Sequence, residues 1–373
     1  MPQFMDGNRA IALGAIDAGC DFFAGYPITP ATSILLHLAQ NLPEMSGLVL
    51  QGEDEIASMG FCIGAAMSGR RVMTATSGPG ISLYSENIGL AIMGEVPLVI
   101  VDVQRMGPAT GAATTGAQGD IQFLRWGTSG GYPVIVLAPT TVEECYALTI
   151  KAFDLAERFR VPVFLATDKE TALTKTTTHI EREHAPRVRD RKTADLESEF
   201  VPLGIEELDE VPAMTPFGGP HKLRFTTSSH DEHGYLTKDP QALDRLNRHL
   251  AEKIEAHVEE IAMVDVDADQ GSETAVLSYG ISARSAKAAV REARQKGKKA
   301  TLITVYSLWP VPEDAIREAL KGVKTIIVPE LNLGQYTREI QRLATNDQEV
   351  IGIYRVDGKL ITPEEIREQG GLL

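Results

Sequence analysis

Cysteine is scarce in this 373-residue chain. There are three, Cys20, Cys62 and Cys145, and no two of them form a CxxC pair. Three thiols so placed cannot by themselves ligate a four-thiolate iron–sulfur cluster. They offer no disulfide framework either, and their apolar surroundings suit buried free thiols. Long apolar runs are absent: no stretch approaches about 18 uninterrupted apolar residues, so no transmembrane helix is expected. The opening MPQFMDGNRA lacks the basic and apolar regions of a signal peptide, which points to the cytoplasm. Positive charge is in deficit, with 36 Lys and Arg against 51 Asp and Glu and a formal net charge of −15. A nucleic-acid partner held by counterion release is therefore not expected. There is no short internal repeat and no low-complexity tract.

What is present is an alternation of apolar strands and helical segments, which predicts a doubly wound parallel α/β sheet. Val96–Val103 (VPLVIVDV) is nearly all apolar, as a strand covered on both faces must be. The alternation runs through residues 1–172 and stops over 173–269, where charge and proline increase. It resumes in 270–373 as a second, smaller α/β unit. His179–Phe200 reads as an exposed charged linker. Pro240–Ala262 reads as a helix that packs on a neighbouring domain or chain. The long Gly/Ala/Thr loop Gln104–Gly119 has the length of a functional loop.

The segment Asp21–Glu55 organises the rest. Asp21–Ala24 ends a strand, and Tyr26-Pro27-Ile28-Thr29-Pro30 makes a rigid turn, since each proline fixes its own φ and extends its predecessor. Thr29 could cap the helix Ala31–Gln40, with Pro30 at its first position. Leu48–Leu50 reads as a buried strand. Glu55 then opens a helix of small residues, where an acid is favoured by the helix dipole. Such a junction at the carboxyl end of a parallel sheet is where ligands bind.

YPITP at Tyr26–Pro30, the Glu55 setting QGEDEIASMGFCIGAA, GNRA at Gly7–Ala10, SGPG at Ser77–Gly80 and PELNLGQ at Pro329–Gln335 occur in order over nearly the whole chain. In these motifs the sequence resembles the alpha subunit of the 2-oxoacid:ferredoxin oxidoreductases, the 2-oxoglutarate type above all. The resemblance implies a thiamine-diphosphate-type pyrimidine-binding domain in 1–172, an interface segment in 173–269 and a transketolase C-terminal-like domain in 270–373. It implies that Glu55 is catalytic, meeting N1′ of the thiamine aminopyrimidine. Tyr26, Pro27, Ile28, Ser77 and Gly78 would line the cofactor, and Thr29 and Arg105 would hold the 2-oxoacid. Arg125, Thr114 and Thr115 are weaker candidates. Glu330, Asn332 and Gln335 would lie at the domain interface without chemistry. His230 and His233 (HDEH) have no third ligand to complete a zinc site.

The family's diphosphate site uses a GDG-plus-Asn motif with a divalent metal, and this chain has no GDG. The resemblance therefore implies that Mg2+ and the iron–sulfur cluster belong to a beta subunit, with gamma and delta subunits or fused equivalents beside it. The implied reaction takes 2-oxoglutarate, CoA and oxidised ferredoxin to succinyl-CoA, CO2 and reduced ferredoxin. A pyruvate or branched-chain 2-oxoacid enzyme, a cluster-free thiamine enzyme and a non-catalytic scaffold are the competing readings.

Overall fold

The computed structural model describes residues 2–195, 197 and 199–373. Its strands are, in chain order, β1 (Gln3–Met5), β2 (Phe22–Gly25), β3 (Leu48–Gln51), β4 (Val72–Thr76), β5 (Leu98–Gln104), β6 (Ile135–Leu137), β7 (Pro162–Asp168), β8 (Thr176–Thr178), β9 (Val264–Asp267), β10 (Thr274–Ser278), β11 (Thr301–Val305), β12 (Ser307–Trp309), β13 (Thr325–Glu330) and β14 (Glu349–Tyr354).

Seven strands form the first sheet in the order β12-β6-β7-β5-β4-β2-β3, and five form the second in the order β14-β13-β10-β11-β9. Only β12 and β9 run antiparallel within them. β1 and β8 make a separate two-stranded ribbon. The apolar run of β5 is explained by its place: it lies between β4 and β7, and all seven of its residues are buried. Helix Val142–Phe159 covers one face. It begins with a capping box in which Thr141 and Glu144 satisfy each other's backbone amides.

The two sheets are physically joined. β11 belongs to the second sheet, and after Tyr306 the chain enters β12, which pairs with β6 of the first. One apolar core runs from Ile100 and Val136 through Leu308 and Trp309 to Val328 and Tyr336.

Two local expectations are corrected, and a third is sharpened. Thr29 does not cap the next helix: that helix spans Thr32–Asn41, its N-cap is Ala31, and no side chain bonds there. The strand at Leu48 is an edge strand and not a buried one, with Leu48 51% exposed, because nothing pairs beyond it. The charged 179–200 stretch is mostly exposed among its described residues, as expected, and is tied down at two arginines. Arg191 forks onto Glu157 at 2.7 Å to both carboxylate oxygens, and Arg189 grips Asp154. Charge there is fixed as ion pairs against helix Val142–Phe159.

The helix expected over Pro240–Ala262 spans Pro240–Glu255, with a further turn at Val258–Ile261. It docks on its own chain. Lys253 Nζ meets Glu95 Oε2 at 2.5 Å, His249 Nε2 reaches the same oxygen at 3.2 Å, and all three side chains are buried. The three cysteines are free and buried.

Candidate functional site

The candidate residues gather at the carboxyl ends of β2, β4 and β5, the end of a parallel sheet where crossover loops leave room for ligands. From β2 the chain enters the Tyr26–Pro30 turn. Tyr26 and Thr29 are exposed, Pro27 and Ile28 half-buried, and Pro30 buried. Asn8 anchors this turn, donating at 2.8 Å to both the Pro30 carbonyl and Ser33 Oγ.

From β5 comes Arg105, buried in the chain. Its Nη1 donates to the Thr29 carbonyl at 2.6 Å and its Nη2 to the Thr110 carbonyl at 3.0 Å, while Nε has no partner. The structure thus brings Thr29 and Arg105 together, but through the Thr29 backbone rather than its hydroxyl.

From β4 come Thr76 and Ser77, followed by the short helix Gly78–Leu83 that starts in the SGPG turn. Glu55, 7% exposed, begins helix Glu55–Met67, and the neighbouring Asp54 supplies the cap by accepting from Ala57 N at 2.7 Å. Gly80 lies directly under Glu55. A Cβ there would sit 2.7 Å from Glu55 Cγ and 3.1 Å from its Oε1, and would also collide with Thr76 Oγ1. Glycine is required by this approach. Gly78 has a similar reason, since a Cβ would stand 3.1 Å from both carboxylate oxygens of Asp120.

Buried polar atoms are normally satisfied. Here Thr76 Oγ1, Ser77 Oγ, both oxygens of Asp102, Asp120 Oδ2 and Arg105 Nε are buried without partners, all at this one end of the sheet. Glu55 also accepts no hydrogen bond among the described residues. Asp102 and Asp120 were missed as site residues by sequence reasoning. The available signal was one acid inside the otherwise apolar VPLVIVDV strand. Burial pushes the Asp102 carboxyl well above its ordinary range, and the neighbouring Asp120 charge adds to this. Burial also lifts Asp120, to about 6, against a hydrogen bond from Asp102 and the attraction of Arg105.

A cavity of about 450 Å³ opens here, with Gly78, Arg105, Asp120, Phe123, Asn332 and Gln335 in its walls. Its far wall belongs to the second sheet's loops. Gln118 ties the two together: its backbone N–H donates to the Leu331 carbonyl at 2.9 Å, Asn332 Nδ2 donates to its carbonyl at 2.7 Å, and Ser282 Oγ donates to its Oε1 at 2.9 Å. Gln335 donates to the Gly119 carbonyl at 2.7 Å, while Glu330 accepts from Tyr279 Oη and the Thr337 amide. The Glu330–Gln335 segment is therefore the clasp that closes the Gln104–Gly119 loop.

Some candidates lie elsewhere. Arg125 stacks over Trp126 at 3.8 Å and donates to the Gly131 and Tyr132 carbonyls, in a separate groove of about 930 Å³ that no orphaned polar atom lines. Thr115 turns its carbonyl to Met106 N within the loop. His230 is buried against the Met93 and Asp231 carbonyls, and no group of three or more metal-ligating side chains occurs among the described residues.

Residues 13–247 match the family model described as pyruvate flavodoxin/ferredoxin oxidoreductase, thiamine diphosphate-binding, and residues 272–366 match pyruvate:ferredoxin oxidoreductase core domain II. The chain is 42% identical to 2-oxoglutarate synthase subunit KorA of Methanocaldococcus jannaschii over 98% of each. It is 34% identical to ketoisovalerate oxidoreductase subunit VorB of Methanothermobacter thermautotrophicus, over 99% of this chain and 98% of that one. It superposes with a TM-score of 0.93 and 31% identity on the 2-oxoglutarate:ferredoxin oxidoreductase from Magnetococcus marinus, solved with 2-oxoglutarate, coenzyme A and succinyl-CoA bound. That match covers the whole of this chain and 65% of the other. A split-gene transketolase shares the fold at TM-score 0.55 and 12% identity.

Proposed function

Because this chain belongs to the pyruvate flavodoxin/ferredoxin oxidoreductase family, as an alpha subunit of the 2-oxoglutarate type, we propose that it works with partner subunits to convert 2-oxoglutarate, CoA and oxidised ferredoxin to succinyl-CoA, CO2 and reduced ferredoxin. The observation that carries the reading is Glu55: a buried carboxylate, capped by nothing, laid over a glycine that leaves it room. Among the described residues nothing donates to it. A protonated ring nitrogen brought by a cofactor fits that vacancy in hydrogen bonding, and the orphaned Thr76 and Ser77 hydroxyls fit the same polar ring edge.

Bound thiamine diphosphate would supply the carbanion chemistry that decarboxylates a 2-oxoacid. This chain's part is positioning and one proton. Glu55 holds the proton at pyrimidine N1′. Tyr26, Pro27 and Ile28 wall the site, Ser77 and Gly78 floor it, and Arg105 with Thr29 orients the substrate carboxylate. Arg105 bridges two backbone carbonyls with its Nη atoms and keeps Nε as a buried donor. Lysine cannot do all three. Arg105→Lys is therefore expected to raise KM for the 2-oxoacid about 10–100-fold, as loss of one charged hydrogen bond predicts, with kcat less affected. Steady-state reduction of viologen by the assembled complex measures it. The same assay across 2-oxoglutarate, pyruvate and branched-chain 2-oxoacids tests the substrate. The greater identity to the KorA subunits than to VorB favours 2-oxoglutarate.

The domain division we propose is a pyrimidine-binding domain at 1–172, an interface segment at 173–269 and a transketolase C-terminal-like domain at 270–373. The beta subunit would hold the diphosphate through Mg2+ and carry the iron–sulfur cluster, with gamma and delta subunits, or fused equivalents, beside it. An apolar face supports such a partner. Ile56 and Phe61 of the helix that Glu55 begins, with Leu83 and Leu48, are each about half exposed, and the positions above Gly60 and Gly64 are open. The chain alone is expected to bind thiamine diphosphate in Mg2+ far more weakly than the complex does, which titration calorimetry on both measures. Tight binding by the isolated chain would remove the shared-site reading. Three free thiols fit a reducing compartment, and the cytoplasm is where we place the protein.

A further inference from the structure

We propose that Asp102 and Asp120 share one proton behind Arg105, and that a carboxylate seated in the Arg105 cavity draws a second proton onto Asp120, making substrate binding proton-coupled. The inference rests on the reading of that cavity as the 2-oxoacid site.

Asp102 lies inside β5, wholly buried, in register with Thr76 of β4 on one side and Ala166 of β7 on the other. Neither neighbour offers it a hydrogen bond, and both its oxygens lack a donor. The group that faces it is another acid, Asp120, whose backbone amide is held by Gln104 Oε1 at 3.2 Å. Asp102 is wholly buried, and a second carboxylate facing it disfavours charge on both, so one carries a proton and donates it to the other. Asp120, the acceptor, reaches the cavity wall beside Arg105; Asp102 does not.

The charged groups around Asp120 are few. Asp102 faces it from β5 and Arg105 from the loop that follows. Glu55 lies across helix Gly78–Leu83, beyond Gly80, and Asp168 stands beside Gln104 on β7 with its carboxylate occupied by the Thr171 and Ile281 amides. The second sheet contributes neutral Asn332 and Gln335. Among the described residues Arg105 is thus the one cation lining the cavity, set against one shared negative charge. A bound carboxylate adds a charge that Arg105 alone must offset. The added charge favours the protonated form of Asp120, which takes its proton from solvent onto a carboxylate oxygen and so offsets one unit of that charge. By linkage, what favours protonation on binding makes binding weaken as protons become scarce.

Burial pushes the Asp120 carboxyl up, to about 6, against the hydrogen bond from Asp102 and the charge of Arg105. Below that pH it is already protonated and binding needs no further proton. Above it, the Kd for a carboxylate should rise by up to tenfold per pH unit, until Asp120 stays charged even with the ligand bound. The 2-oxoacid itself does not titrate in this window.

The test is calorimetry on the assembled complex with oxalate as probe, between pH 6 and 8, in buffers of different ionisation enthalpy. Proton uptake on binding is expected, approaching one per oxalate in mid-window. Asp120→Asn should abolish the uptake and flatten the pH profile; its amide keeps an oxygen to accept from protonated Asp102. Asp102→Asn removes the shared proton from behind, and should shift the profile to lower pH without abolishing it. Absence of uptake in the unaltered complex, uptake that persists in Asp120→Asn, or no oxalate binding at all would each overturn the proposal. A complex that turned over 2-oxoglutarate with no proton linkage would leave the functional reading standing and refute only this one. A complex inactive on every 2-oxoacid would refute the function, while oxalate would still report on the acid pair.

Discussion

A complex carrying Glu55→Gln should turn over about 10²–10⁴-fold more slowly at saturating substrate, the range a positioned proton-transfer group supplies. Glutamine keeps the length and shape of the side chain over Gly80, so packing is conserved. It can still donate or accept a hydrogen bond, but it cannot hold the negative charge that a ring proton requires. Folding should not suffer, because the carboxylate accepts no hydrogen bond among the described residues and Asp54 caps the helix. The neighbours make the assignment discriminating. Asp54→Ala is expected to act on stability, through loss of the Ala57 cap, by about 0.5–2 kcal/mol and not on the chemical step. Glu53, exposed beside it, should tolerate Gln with no loss. Viologen reduction by the three variants, with bound thiamine diphosphate quantified in each, separates loss of chemistry from loss of cofactor. Unchanged turnover in Glu55→Gln would make this chain a scaffold.

Much of this site was legible because rigid residues write themselves into sequence. The Pro-Ile-Thr-Pro turn, the SGPG turn and the acid at Glu55 are constrained by backbone geometry, and the structure brings them to one sheet end with Arg105. What escaped was set by tertiary context. Thr29 has the residue type of a cap, yet its carbonyl was claimed by Arg105 and the helix starts later. Leu48–Leu50 is apolar like a core strand; only the sheet order reveals that nothing pairs outside it. Asp102 and Asp120 are 18 positions apart and neither belongs to a motif. Their meeting depends on how the Gln104–Gly119 loop folds back, which Gln118 and the second sheet decide. The helix near 240–262 was visible by its apolar spacing, but its partner was not, since the groups that hold it are charged and lie more than 150 residues earlier.

That docking yields the second large effect. Lys253→Met should loosen helix Pro240–Glu255 by about 3–5 kcal/mol, the usual result of stranding one member of a buried ion pair. Glu95, His249 and Lys253 are each nearly or fully inaccessible, and Arg160 Nε donates to the Glu95 carbonyl at 3.2 Å. Burial by itself would raise the Glu95 carboxyl; the Lys253 charge, the close approach of the His249 ring and Arg160 override it and hold it far below the ordinary carboxylate range. A depressed native value means that its stabilising contribution is fully present above the unfolded value of 4.5 and fades as pH falls below it. Removing Lys253 reverses that sign. Burial then dominates, Glu95 prefers its proton, and acidification relieves the defect instead of adding to it. The loss should thus be greatest near neutral pH and shrink toward pH 5. Amide exchange across residues 240–255 in the assembled complex, compared at those two pH values, reads both the size and the slope. The paired variant Glu95→Gln with Lys253→Met removes the stranded charge and should recover most of the protection. Equal exchange in the single and paired variants would mean that the helix is held by its apolar face alone, through Leu246, Leu250 and Ile254.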